Sequence, residues 1–296
     1  WYTSKWTPIV AFSVSSIKKL YKFGFRLMLS DLLNSLFEQL YILVIGKVYS
    51  VNDVGYYNRA LSTRQLPVNT VSNVLRKISY PILSQIQDDD VRLRNAQRKI
   101  IQQVMFWIIP LMTGGILLAT YIFNILYTNK WNQAIPLFQI LCIAGVLYPI
   151  NAFNLDILKV KGRSDLYLKI EIVKKLIIVL ILIVSIQYGI MGLVWGQSLV
   201  SIIALSINTY YSGKFLKYSL FEQLKDLAPI ILCGIIMGFF VYFIKDNFFT
   251  DLTLINLFIL TLCGASVYLT ACWYLFNEPF KELLAIISSK MKSLSL

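Results

Sequence analysis

Long apolar runs alternate with short polar or basic stretches and divide this chain into about eight helical segments, roughly residues 27–48, 56–83, 101–126, 134–158, 170–187, 192–211, 227–244 and 252–276. About 20 consecutive apolar residues are enough to cross a bilayer as a helix. Two of the segments carry ordered polar stripes. In the first, Asp31, Asn34, Glu38 and Tyr41 follow one another at steps of three, four and three, which is one face of a helix. In the second, YYNRALSTRQLPVNTVSNVLRK from Tyr56 to Lys77, the residues Asn58, Ser62, Gln65, Asn69, Ser72 and Arg76 share a face at alternating steps of four and three. Arg59 and Arg64 flank that face, and Leu61, Leu66, Val68, Val71, Val74 and Leu75 fill much of the rest. An arginine inside a bilayer costs about 2.5–3.5 kcal/mol on insertion scales. The second segment therefore reads as a polar helix held inside a bundle, facing water or a polar substrate. The other reading is an amphipathic surface helix between two spans.

The remaining segments are more apolar. The third contains Pro110 and Gly114–Gly115, breakers that membrane helices tolerate because neighbours re-satisfy the backbone. The fourth ends in Asn151, Asn154 and Asp156, and Asp156 with Lys159 has the spacing of a local salt bridge. The fifth opens with Glu171, Lys174 and Lys175, and the sixth holds Gln197, Ser198, Ser201, Ser206 and Asn208. The last two carry almost no ionisable group, which predicts that they face lipid. Residues 1–26 read as the end of a preceding span followed by a basic loop. Residues 277–296 read as a short, basic, amphipathic tail.

Composition agrees with a polytopic membrane protein: 57% of the residues are hydrophobic, only 15% are charged, and the mean hydropathy is +0.65. The net charge of +13 points to basic cytoplasmic loops rather than to nucleic acid. With the N-terminal segment inside, 23 of the 28 Lys and Arg fall in inside regions, so both termini are expected in the cytoplasm and Tyr56 outside. Without the second span the best division is 21 to 7. Histidine is absent, which excludes His-based metal sites and Ser-His or Cys-His catalysis. The four cysteines, Cys142, Cys233, Cys263 and Cys272, lie in apolar runs without metal-ligand spacing. No cofactor is expected. The chain begins with Trp and not Met, which suggests a piece of a longer protein.

Several strings, in order, resemble bacterial Wzx-like polysaccharide and lipopolysaccharide flippases, the colanic-acid-exporter-like branch of the MOP superfamily. They are FGFRLMLSDLLN, LYILVIGKVYSVNDVGYYNRA, PILSQIQDDDVRLR, LKVKGRSDLYLKIEIVKK and SINTYYSGK. The resemblance runs from about Trp1 to Leu284. It implies an all-α fourteen-helix transporter of two six-helix lobes and a final helix pair. This chain would supply the end of helix six, a six-helix lobe over 27–211, and a loop with the last pair over 212–276. The N-terminal lobe, needed to complete the cavity, would be missing. The implied location is the bacterial inner membrane. The implied substrate is an oligosaccharide on undecaprenyl pyrophosphate, moved among membrane lipids without cofactor.

For such a substrate Arg59 and Arg64 are candidate pyrophosphate ligands, because a guanidinium makes paired charge-assisted hydrogen bonds to phosphate. Gln65, Asn69 and Asn73 are candidates for sugar hydroxyls, with Asn58 and Ser72 beside them. Asp31 and Glu38 are candidates for ion or proton coupling. The plainer readings are an interfacial anchor for the arginines, helix–helix hydrogen bonding for the amides, and a structural pair with Arg26 or Arg64 for the carboxylates. Other functions compatible with membrane spans are a multi-pass glycosyltransferase or polymerase, a MATE-like exporter of small cations, or a truncated non-functional product. Short, weakly charged external loops argue against the first of these.

Overall fold

The computed structural model describes residues 13–249 and 251–275, and the described residues form helices with no strand. The helices are α1 (Val14–Val48), α2 (Val51–Gln85), α3 (Asp90–Leu117), α4 (Ala119–Tyr127), α5 (Ala134–Val160), α6 (Ser164–Ser185), α7 (Gly189–Leu216), α8 (Leu220–Phe248) and α9 (Leu254–Leu275). The span end expected within residues 1–12 and the tail expected over 277–296 lie outside the described residues.

Local chemistry sets the helix starts. Ser50 and Asp53 form a capping box at α2, Ser219 and Glu222 form another at α8, and Asp89 accepts from the backbone N–H of Val91 and Arg92 at α3. Each such cap is worth about 1 kcal/mol. One expectation is corrected here. Residues 14–26 are not a loop but the first turns of α1, capped by Ser13. No proline lies between Val14 and Leu27, the single glycine there, Gly24, costs only about 1 kcal/mol, and Lys is a good helix former. Lys18, Lys19 and Lys22 stay exposed along it. The third expected span is also not continuous. It bends at Leu118, between α3 and α4, just after the Gly114–Gly115 pair, as glycine pairs commonly cause.

Among the described residues six segments are long and apolar enough to cross a membrane. One of them, 164–216, comprises both α6 and α7, which are separated by a turn at Gly189, whose φ of +72° is left-handed. The polar α2 does not qualify on composition, yet it runs for 35 residues and packs against α5, α3 and α1. The helix is thus held by protein neighbours, as the first of the two readings requires.

The centre of the bundle is α5, which packs on α7, α2 and α3. Buried residues make up 56% of its most apolar window, against 17% in α1 and α9. The pair α8–α9 sits on α3. Gly234 and Gly238 of α8 face Ile109 and Thr113 of α3, so small residues four apart let the two backbones approach. Arg94–Glu222 at 2.8 Å and Arg98–Asp226 at 2.5 Å join the same two helices at one end. The outward side chains of the pair, among them Phe239, Phe243, Phe258 and Leu262, are apolar and exposed, as a lipid-facing surface requires.

Candidate functional site

A cavity of about 750 Å³ opens between α1, α2, α5, α6 and α7. No residue of α3, α4, α8 or α9 lines it. The stripe on α1 faces it, through Asp31, Asn34, Glu38 and Tyr41. Five of the six stripe positions on α2 do the same: Asn58, Ser62, Gln65, Asn69 and Arg76. The sixth, Ser72, is buried beside the cavity, and its hydroxyl has no partner among the described residues. Asn73 lines a smaller recess at one end, of about 370 Å³.

The two flanking arginines part company. Arg64 lines the cavity, is 8% exposed, and its Nε has no hydrogen-bond partner among the described residues. A buried donor left unpaired is costly, more so when charged, and in native proteins it marks a place where a water or ligand belongs. The stem of Arg64 passes α5 at Gly145, where a Cβ would lie 2.9 Å from Arg64 Cδ. Arg59 turns the other way. Its guanidinium lies 4.6 Å from the ring centroid of Tyr127 and 4.8 Å from that of Trp131, and it does not line the cavity. Such stacking is worth about 0.5–2 kcal/mol and ties the turn after α4 to α2.

Asp31 and Glu38 both line the cavity, and neither has a cationic partner within 4.0 Å among the described residues. The structural pair with Arg26 or Arg64 is therefore not formed. The Asp156–Lys159 contact is present at 3.7 Å, but the tighter partner of Asp156 is Arg76, whose Nε lies 2.5 Å away.

Other cavity groups were not singled out from the sequence. Glu171 is 2% exposed, with Lys174 Nζ at 2.5 Å and Lys175 Nζ at 3.6 Å. Lys175 also donates to Asn34 Oδ1 at 2.6 Å, which joins α6 to α1 across the cavity wall. The Tyr57 hydroxyl donates to Gln197 Oε1 at 3.2 Å, and Asn208 donates to Asn151 Oδ1 at 2.8 Å. The only sequence signal for these groups was their polarity within otherwise apolar segments.

In sum of charge, Arg64, Arg76, Lys159, Lys174 and Lys175 face Asp31, Glu38 and Glu171. A wall with this cationic excess, spaced by amides and hydroxyls, can hold an anion bearing many hydroxyl groups. Among the described residues no group of three or more His, Cys, Asp or Glu is placed to hold a metal ion, and the four cysteines are free. The α5–α6 turn is held by Arg163, which donates to both carboxylate oxygens of Asp165 at 2.9 Å.

The comparisons with known proteins agree with this architecture. The profile of the family described as polysaccharide biosynthesis protein matches residues 1–136. The teichuronic acid biosynthesis protein TuaB of Bacillus subtilis is 22% identical over 242 residues, covering 81% of this chain and 50% of that protein. The lipopolysaccharide biosynthesis protein WzxC of Escherichia coli is 26% identical over 217 residues, covering 73% of this chain and 44% of that protein. Among solved structures, the lipid II flippase MurJ in an inward closed conformation superposes with a TM-score of 0.69 at 19% identity, over 90% of this chain and 56% of that one. The chain spans about half the length of the relatives it matches. It is thus a multi-pass membrane protein similar in sequence to polysaccharide-biosynthesis proteins such as TuaB and WzxC, with the helical fold seen in MurJ.

Proposed function

We propose that this chain forms one half of the path by which a lipid-linked oligosaccharide crosses the bacterial inner membrane. The observation that carries the reading is the unpartnered, buried Arg64 in a polar cavity enclosed by helices of a membrane bundle. In this reading the cavity takes the pyrophosphate and its sugars while the polyprenyl tail stays in lipid. Arg64 binds the pyrophosphate, Gln65 and Asn69 bind hydroxyls, and Asp31 and Glu38 carry the coupling ion or proton. The names of WzxC and MurJ support the substrate class.

The proposed organisation is a six-helix lobe over 27–211 and a final pair within 212–276, with both termini cytoplasmic. A first lobe covers the open side of the cavity. The protein acts as a transporter rather than an enzyme. The cationic excess of the cavity favours this reading over export of small cations.

The test is complementation of a flippase-deficient strain by the intact gene product, with membrane abundance measured in parallel. Arg64→Ala should abolish polysaccharide export at normal abundance. Arg64→Lys should restore it only in part, because an ammonium lacks the planar fork. Full export by Arg64→Ala would refute the reading. Restored export in the double variant Arg64→Ala with Glu38→Gln would reduce Arg64 to a charge partner of Glu38.

A further inference from the structure

The recess beyond the main cavity contains a second cluster of cations. It is lined by Asn73, Arg76, Lys77 and Tyr80 of α2 and by Asp156 and Lys159 of α5. Arg76 and Lys159 line both spaces, so they stand where recess and cavity meet. Three cations face one carboxylate here, and that carboxylate is almost fully buried. Arg76 reaches Asp156 through Nε alone, and its two terminal nitrogens have no acceptor among the described residues. The side chain is 32% exposed, so those nitrogens are open to a ligand in the recess. Lys159 approaches Asp156 only to 3.7 Å, while its Nζ lies 4.6 Å from the ring centroid of Tyr167. Its ammonium is therefore held at the junction rather than engaged in a short ion pair.

We propose that this recess is a second phosphate site, separate from Arg64, which takes the phosphate of a lipid headgroup before it enters the main cavity. It rests on the transport reading above and adds a waiting position to it. The terminal edge of the Arg76 guanidinium faces the phosphate oxygens, Lys77 and Lys159 add charge, and Asn73 and the Tyr80 hydroxyl complete the hydrogen bonding. Asp156 acts as the resident counter-anion. It holds Arg76 in place while the recess is free of ligand and competes with an incoming phosphate. The recess lies toward the C-terminal ends of α2 and α5, and the turn after α5 carries Lys161 and Arg163, which in the proposed topology is the cytoplasmic side.

Two sources can supply such a phosphate, a polyprenyl pyrophosphate or the phosphodiester of a bulk anionic lipid. The experiment uses the intact protein in neutral detergent micelles and titrates farnesyl pyrophosphate, with dioleoyl-phosphatidylglycerol as competitor. The wild type should show two classes of site. Arg76→Gln combined with Asp156→Asn removes both charges, so no buried carboxylate is left alone, and should abolish one class. Arg64→Gln should abolish the other. Asp156→Asn alone should tighten the recess site severalfold, because the competing anion is gone. Lys159→Gln should weaken it about tenfold. Competition by phosphatidylglycerol at equal strength identifies bulk lipid as the source, and its failure to compete identifies the pyrophosphate carrier. Either result supports a phosphate site. A single class of site, lost with Arg64→Gln and unchanged in the Arg76 and Lys159 variants, overturns the recess proposal and leaves the Arg64 reading intact. Loosened binding in Asp156→Asn also overturns it, because Asp156 would then be organising the site rather than competing for it. No binding by a folded wild type overturns it as well, and the export test of Arg64 then decides the transport reading by itself.

Discussion

Gly145 controls where Arg64 can go. It lies in the middle of α5, the most enclosed helix, and a Cβ there would lie 2.9 Å from both Arg64 Cδ and Met112 Sδ and 3.3 Å from Arg64 Cγ. Real Cβ contacts are rarely this short, so Gly145→Ala must displace one or both side chains. Overpacking of this kind costs about 1–3 kcal/mol. Alanine returns about 1 kcal/mol through its better helix propensity. The net loss of stability is thus small, about 0–2 kcal/mol, while the guanidinium is pushed from its place in the cavity. The expected outcome is a modestly lowered unfolding midpoint in detergent with export reduced about as far as in Arg64→Ala. Adding Met112→Ala relieves one contact but should not recover export, because the contact with the Arg64 stem remains. Normal export by Gly145→Ala, or rescue of export by Met112→Ala, would refute the argument that Gly145 positions Arg64.

Further outcomes follow from the same geometry. Glu171→Gln leaves Lys174 and Lys175 close together without their shared carboxylate, and should cost about 3–5 kcal/mol, read as a large drop in thermal midpoint. Combining it with Lys174→Met should recover most of that loss. Arg59→Ala should lower stability by about 0.5–2 kcal/mol through loss of its aromatic stacking and leave export nearly unchanged. A photoactivatable polyprenyl carrier should crosslink to the exposed apolar faces of α8 and α9 rather than to α3, and labels concentrated on α3 would count against a lipid-facing final pair. For topology, an outside-only thiol reagent should label a cysteine at Asn52 and not one at Asp165, and the reverse pattern would invert the proposed orientation.

The polar stripes of α1 and α2 were legible because each repeats at helical spacing over several turns, and most of their members line one cavity. What faced the cavity from α6 was not legible in the same way. Glu171, Lys174 and Lys175 open the expected span at 170, but α6 starts at Ser164, so they lie two to three turns inside it, and packing of α6 on α1 and α7 turns them inward. The same holds for Arg59 and Arg64. Five residues apart they differ by about 140° around the helix, and both flank the stripe. The aromatic pair Tyr127 and Trp131, distant in sequence, draws one outward, and the notch at Gly145 admits the other. Arg76 was placed on the stripe, but its partner Asp156 lies 80 residues away and had been paired with its helical neighbour Lys159. Helix starts were partly legible, because Ser50 with Asp53 and Ser219 with Glu222 are capping boxes, whereas the extension of α1 back to Val14 had no signal beyond the absence of a proline.

The claim that this cavity is a wet path for a saccharide-bearing anion is tested most directly by substrate protection. In a background with Cys142, Cys233, Cys263 and Cys272 replaced, single cysteines at Ser62 and Asn69 are exposed to a charged, membrane-impermeant thiol reagent in inverted vesicles, with and without lipid-linked oligosaccharide. Both positions should react, and the lipid-linked substrate should slow the reaction severalfold, while a cysteine at the exposed Phe239 of α8, away from the cavity, should be unaffected by the substrate. Unreactive cysteines at Ser62 and Asn69, or labelling indifferent to the substrate, would contradict the account.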